Sequence, residues 1–228
     1  MFDRFSRRLR LGATGTDGVD AGRSVTTASA SAPLVEFVAY GEDCLLTARV
    51  RLAAERLTDL LNEHDELELR DVLVQQLDGS GGAETTSVVV PRDELLLVHA
   101  AGPRGSQDRR QRTRAHPVAV RTGPYHVQGY LHALPGSDPL NALRRRSPMV
   151  PLTDATIEFQ ADGERHRRSV GTLVVNREQV DWIRESDHVD VPTAKAPEVL
   201  VPEADTGLMV KDFTWEIVTA APPLDTIA

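Results

Sequence analysis

Two aspartates, Asp71 and Asp154, interrupt apolar segments of β pattern. Carboxylates facing each other across a cleft can act as acid and base, as in two-lobed hydrolases. The Asp-Thr-Gly or Asp-Ser-Gly loop of such sites is missing, so each aspartate reads as a β-bulge or backbone-bonding residue. The seven histidines are scattered. His126 and His132 share one strand face, but six extended residues set them about 20 Å apart, too far for one metal ion. The single cysteine, Cys44, stands beside Glu42 and Asp43. Acidic neighbours raise a thiol pKa, whereas a nucleophile needs a base and an electropositive setting. "DGSGG" (78–82) lacks the lysine of a phosphate loop and the helix that follows one. No nucleophile elbow is present. These residues predict no catalytic, metal or cofactor site.

The arginines carry the strongest remaining signal. Residues 101–170 hold 12 arginines against 6 acids, although the whole chain has a net charge of −8. Arg109, Arg110, Arg112 and Arg114 lie in "PRGSQDRRQRTRAH" (103–116), and Arg144, Arg145 and Arg146 in "LRRRS" (143–147). "ERHRR" (164–168) adds three more. The 103–116 stretch suits a solvated linker. If the three groups converge, they form a patch for an anion, a nucleic-acid backbone or an acidic protein surface, another copy of the chain included. Tyr125 and Tyr130 are the only nearby aromatics for base stacking. Lys195 and Lys211 are the only lysines, as a GC-rich coding genome would give.

The elements that must position these groups read as mainly β. Strands are expected at 34–40, 44–52, 66–77, "SVVVP" and "ELLLVHA", then at "PVAV", 125–134, 149–160, "VGTLVV" and "QVDWIRE". A helical turn is expected in "ERLTDLLNEH", capped by Thr58 or Asp59, and another in "SDPLNALRRR", with Pro139 just inside it. The order of elements is the same in both series. Residues 46–62 match 125–141, residues 69–77 match 152–160, and residues 87–98 match 172–183. The chain therefore reads as a tandem duplication of two small-barrel-like halves. In this reading the repeated words "DLLN" (59–62) and "DPLN" (138–141) mark equivalent turns. Asp59 and Asp138 start them, Leu61 and Leu140 are buried, and Asn62 and Asn141 bond local backbone.

Arg56, Leu57, Thr58, Asp59, Leu61 and Asn62, then Leu69, Asp71 and Val72, then Val175, Asn176, Arg177, Val180, Trp182 and Ile183 form a pattern that resembles small bacterial β domains. The resemblance implies a compact β fold for each half and no particular activity. The second half departs from it at Gly136-Ser137.

The expected organisation is a basic arm and Gly/Ser/Thr-rich linker (1–33), a first β repeat (34–102), an Arg-rich linker (103–116), a second β repeat (117–188) and a C-terminal segment (189–228). In the arm, a short helix would set Phe2, Phe5 and Leu9 against Arg4, Arg7, Arg8 and Arg10. Such a segment suits a partner groove or, weakly, an anionic membrane surface. "KDFTWEIV" (211–218) reads as a strand that packs back on the domain or adds to a partner's sheet. One cysteine and no apolar run of membrane-spanning length suggest the cytoplasm. The function expected is non-catalytic: a binding or scaffold protein acting through protein contacts. A nucleic-acid-binding small barrel is the alternative, and a hydrolase using Asp71 and Asp154 is a third reading.

Overall fold

Runs of Val, Leu and Ala become strands, and the Gly- or Pro-bearing breaks between them become turns. The computed structural model describes residues 10–11, 32–103 and 112–187, and there the chain is mainly β, as its patterning predicts. β1 (Arg10–Leu11) precedes a first run of β2 (Leu34–Tyr40), β3 (Cys44–Arg51), helix α1 (Leu57–Glu63), β4 (Glu66–Gln76), β5 (Gly82–Pro91) and β6 (Leu97–His99). The second run contains β7 (Arg114–Thr122), β8 (Tyr125–Ala133), α2 (Pro139–Arg144), β9 (Met149–Ala161), β10 (Glu164–Asn176) and β11 (Trp182–Glu185). A 3-10 turn precedes the last strand of each run, at Arg92–Glu94 and Arg177–Gln179.

These strands join one antiparallel sheet in the order β1-β5-β4-β3-β2-β6-β10-β9-β8-β7-β11. Each run is a meander whose last strand returns to its first: β6 pairs with β2, and β11 with β7. The runs meet where Leu97–His99 of β6 pairs with Leu173–Val175 of β10. The terminal strands β1 and β11 do not pair with each other, so the sheet stays open. Arg10, placed by the sequence on a helix, lies instead in β1, opposite Val89 of β5. Phe2, Phe5 and Leu9, like "KDFTWEIV", lie outside the described residues.

The broken alternation at the two aspartates is a pair of bulges. Asp71 and Asp154 have φ of 51° and 48°, left-handed values that an aspartate tolerates better than most residues. The β3–β4 register shifts between Thr47 and Arg49, and the β8–β9 register between Gln128 and Tyr130. Gly129 faces the second bulge, and a Cβ there would lie 3.2 Å from the Ala155 Cβ.

The helices correct one sequence expectation. In α1 the N-cap is Arg56, without a side-chain cap, and Leu57, Leu60 and Leu61 are buried. Asp59 is inside the helix and binds the Arg56 guanidinium with both oxygens, at 2.9 and 3.0 Å. In α2 Asp138 is the cap, its Oδ1 accepting from the N–H groups of Leu140 and Asn141. Leu140 is half-buried, and Leu143 fills the core instead. "DLLN" and "DPLN" therefore occupy different places in the two helices. Residue identity thus pairs an interior aspartate with a capping one.

Two hydrophobic cores result, one mostly from each run. They interlock, since Met149 and Val174 join the first core while Val38, Tyr40, Leu45, Leu96 and Leu97 join the second.

Candidate functional site

The joint between the runs is built from aromatic and amide side chains. Tyr40 of β2 packs edge-on against Tyr125 of β8, with ring centroids 5.3 Å apart, and against Phe159 of β9 at 5.8 Å. The buried Tyr125 hydroxyl donates to the Gly41 carbonyl at 2.8 Å, and burial raises its pKa. Asn176, 1% exposed, donates to the Leu95 carbonyl at 3.0 Å. Asn62 reaches Met149 from the other side. Because their partners lie in the other run, Asn62 and Asn176 gave no local sign of this role.

Where α1, the end of β6 and the β9–β10 pair diverge, they leave an open cleft of about 1040 Å³. Arg56 and Thr58 lie at its α1 wall, and His99 to Pro103 run along it. His132, Arg145 and Arg146 come from the end of β8 and the segment after α2. Met149, Thr153, Asp154 and Val170 to Thr172 form the β9–β10 side.

The arginines of the cleft differ in their state. Asp59 neutralises Arg56. Arg146 is half-buried and held twice: its Nη2 donates to the His132 carbonyl, and its own carbonyl accepts from Arg177 Nε at 2.9 Å. Burial lowers its pKa. Arg145 is exposed and has no hydrogen bond or ion pair with any described residue. His99 bonds the Tyr40 hydroxyl at 3.1 Å, and burial, helped by the Arg168 charge, pulls its pKa down to about 3. It is therefore neutral at pH 7. His132 has a threonine hydroxyl at each ring nitrogen, Thr153 at 2.8 Å and Thr113 at 3.3 Å.

Other sequence-singled residues separate. Asp154 lines the cleft, but Asp71 does not; it lies 3.8 Å from Arg49 with an exposed side chain. The two carboxylates are therefore not assembled as an acid–base pair in this cleft. His126 packs on Trp182, away from His132's threonines. Among the described residues no group of three His, Cys, Asp or Glu is placed to hold a metal ion. Cys44 is fully buried, and its thiol is pushed up to about 12 by burial first and by Asp43 second. The acidic neighbour is legible in the sequence, whereas the larger cause, burial, comes from the fold.

Of the arginine groups, Arg114 opens β7 opposite Ala133, next to the His132 carbonyl that Arg146 binds. Arg114 thus belongs to a strand and not to the linker that the sequence assigned it. Arg112 before β7, Arg144 at the end of α2 and Arg145 just after it are exposed. Arg165 and Arg167 of β10 share Glu158. Arg109 and Arg110 lie outside the described residues. No described helix is long and apolar enough to cross a membrane.

The chain matches no family model, no curated protein and no solved structure.

Proposed function

We propose that this chain is a non-catalytic binding or scaffold protein that acts through protein–protein contacts, built from two related, barrel-like β halves. The observation that carries the reading is the shared strand order of the two runs. One reads β5-β4-β3-β2-β6 and the other β10-β9-β8-β7-β11. Matching details support the relationship. An aspartate bulge with positive φ stands in β4 and in β9. The Leu96 N–H bonds the Tyr40 carbonyl, and the Asp181 N–H bonds the Arg121 carbonyl. Arg92 and Arg177 follow the fourth strand of each run, and the side chain of each reaches a carbonyl just past the run's helix, His64 or Arg146. Two such units in one sheet leave sheet edges and a cleft between them, and these are features that bind other chains.

Affinity capture of the full chain at moderate salt with nuclease treatment, beside a version lacking residues 1–33, tests this reading. A defined protein partner that survives nuclease supports it. Turnover of a substrate that Asp71→Asn or Asp154→Asn abolishes, with the fold intact, overturns it.

Nucleic-acid binding is the second reading. Arg114 and Arg146 at one end of the β7–β8 ladder favour it. It requires affinity that falls steeply with salt.

A further inference from the structure

The joint between the runs has a counterpart at each end of the sheet. At the joint, β6 lays Leu97, Val98 and His99 against Val175, Val174 and Leu173 of β10. The match of residues 87–98 with 172–183 puts Val88 and Val89 of β5 where β10 has Leu173 and Val174. It also puts Trp182 and Ile183 of β11 where β6 has Leu97 and Val98. β5 and β11 stand at opposite ends of the strand order, and only the two-residue β1 lies beyond them.

The hydrogen-bond phase agrees. In antiparallel pairs, residues two apart turn their N–H and C=O to the same side. The Ala100 N–H bonds the Thr172 carbonyl and the Asn176 N–H bonds the Leu96 carbonyl, so Leu96, Val98 and Ala100 face β10. On β11 the Ser186 N–H bonds the Pro117 carbonyl, so Trp182 and Arg184 bond inward to β7 while Ile183 and Glu185 face outward. Ile183 and Glu185 are the matches of Val98 and Ala100. No described strand pairs with that edge, and neither residue has another hydrogen-bond partner among the described residues. On β5 the Arg92 N–H bonds the Asp65 carbonyl, so Val90 bonds inward to β4 and Val89 faces outward. There it meets Arg10 of β1, just as Val174 meets Val98. Burial marks what is missing. Leu97 and Val98 are 0% exposed beside β10, whereas Trp182 is 37% exposed and Ile183 half-buried.

We propose that copies of this chain join head to tail, β11 of one pairing with β5 of the next, and that β1 occupies the β5 edge as an internal plug. The proposal rests on the protein-contact reading and names a second copy as the partner. In this joint Ile183 stands opposite Val89, Glu185 opposite Ser87, and Trp182 opposite Val90. A second copy is selected over another protein because it carries the complementary edge in the matching phase, continuous with the joint already built between β6 and β10. Two unlike edges make a heterologous contact, which continues from copy to copy unless one edge is blocked. The block is slight, since β1 pairs through Arg10 and Leu11 alone. The joint is also weaker than its internal model. Pro91 stands where β10 has Asn176, so the backbone and side-chain bonds of Asn176 have no equivalent.

Sedimentation velocity of the full chain between about 1 and 200 µM tests the proposal. Arg10→Pro breaks β1 and bares β5. This variant is expected to associate at a concentration at least about ten-fold lower than wild type. Glu185→Pro, at an exposed position, removes an outward N–H from β11. It is expected to return the Arg10→Pro chain to monomer without shifting the melting temperature. Val89→Pro spoils the receiving edge instead. The Arg10→Pro/Glu185→Pro chain and the Val89→Pro chain are each expected to stay monomeric, while their equal mixture gives a dimer that grows no further. A monomeric Arg10→Pro chain at about 200 µM, association that survives Glu185→Pro, or a monomeric mixture of folded chains would each overturn the proposal. If Val89→Pro fails to fold, the first two comparisons decide. If no self-association appears but capture still yields a nuclease-resistant partner, the protein-contact reading stands and only this joint falls.

Discussion

Asn62 and Met149 trade two hydrogen bonds although 87 residues separate them. Asn62 Nδ2 donates to the Met149 carbonyl and the Met149 N–H donates to Asn62 Oδ1, each at 3.0 Å. The same Nδ2 also donates to the Thr58 carbonyl at 2.9 Å, which fixes the amide on α1. One side chain thus ties the helix of the first run to the strand that opens the β9–β10 hairpin.

Asn62→Ala leaves both Met149 backbone groups without their partner beside the core. The expected loss is about 2–3 kcal/mol, since an abandoned polar group costs more than a lost bond gains. Urea unfolding of the variant beside wild type measures it. A loss below about 0.5 kcal/mol would mean that water replaces the amide.

The aspartate bulges make a prediction of opposite sign. Asp71→Gly and Asp154→Gly relieve left-handed backbone and are expected to be neutral or stabilising. Asp71→Val and Asp154→Val are expected to cost about 1–2 kcal/mol, because a β-branched residue resists that conformation. Thermal melts of the four variants give the order.

How much of this was legible in the sequence differs by element. Alternation of apolar residues places most strands, because burial of one face writes a period of two into the chain. Asp71 and Asp154 were legible as bulges because a charged residue breaks that period. The equivalence of "DLLN" and "DPLN" was not, because Asp59 and Asp138 make local bonds of different kinds that one-letter identity cannot separate. Strand ends are less legible than strand centres. Arg114 looks like linker by composition, and only its pairing with Ala133 makes it strand. The cleft was invisible for a related reason: it depends on how far β6 follows β10, which is a matter of pairing between distant segments.

His99 should make stability depend on pH. Its folded pKa, about 3, lies below the ordinary value of 6.5. Between these values the unfolded chain takes up a proton that the folded chain refuses. Stability is therefore full above about pH 6.5 and falls as pH drops toward 3, by up to roughly 1.4 kcal/mol per pH unit from this group. Unfolding free energies at pH 7 and pH 5 are expected to differ less in His99→Gln than in wild type. An unchanged difference would assign the slope to other groups.

Cys44 should be nearly inert in the folded protein. Its thiol is buried and held protonated well above pH 8. Labelling by a disulfide reagent at pH 8 is expected to be slow in buffer and fast in denaturant. Rapid labelling of the native chain would show that the β2–β3 turn opens.

Strand β6 has hydrogen-bonded neighbours on both flanks, β2 made before it and β10 made after it. During synthesis these neighbours arrive at different times. At about 5–20 residues per second, the stretch from His99 to Asn176 takes roughly 4–15 s to emerge. Through that interval the nascent first run carries β6 with one bare edge and Asn62 with no Met149 to bind. An unprotected edge in a crowded polysome invites pairing between neighbouring nascent chains. Slower translation through residues 100–176 is thus expected to lower the yield of native protein.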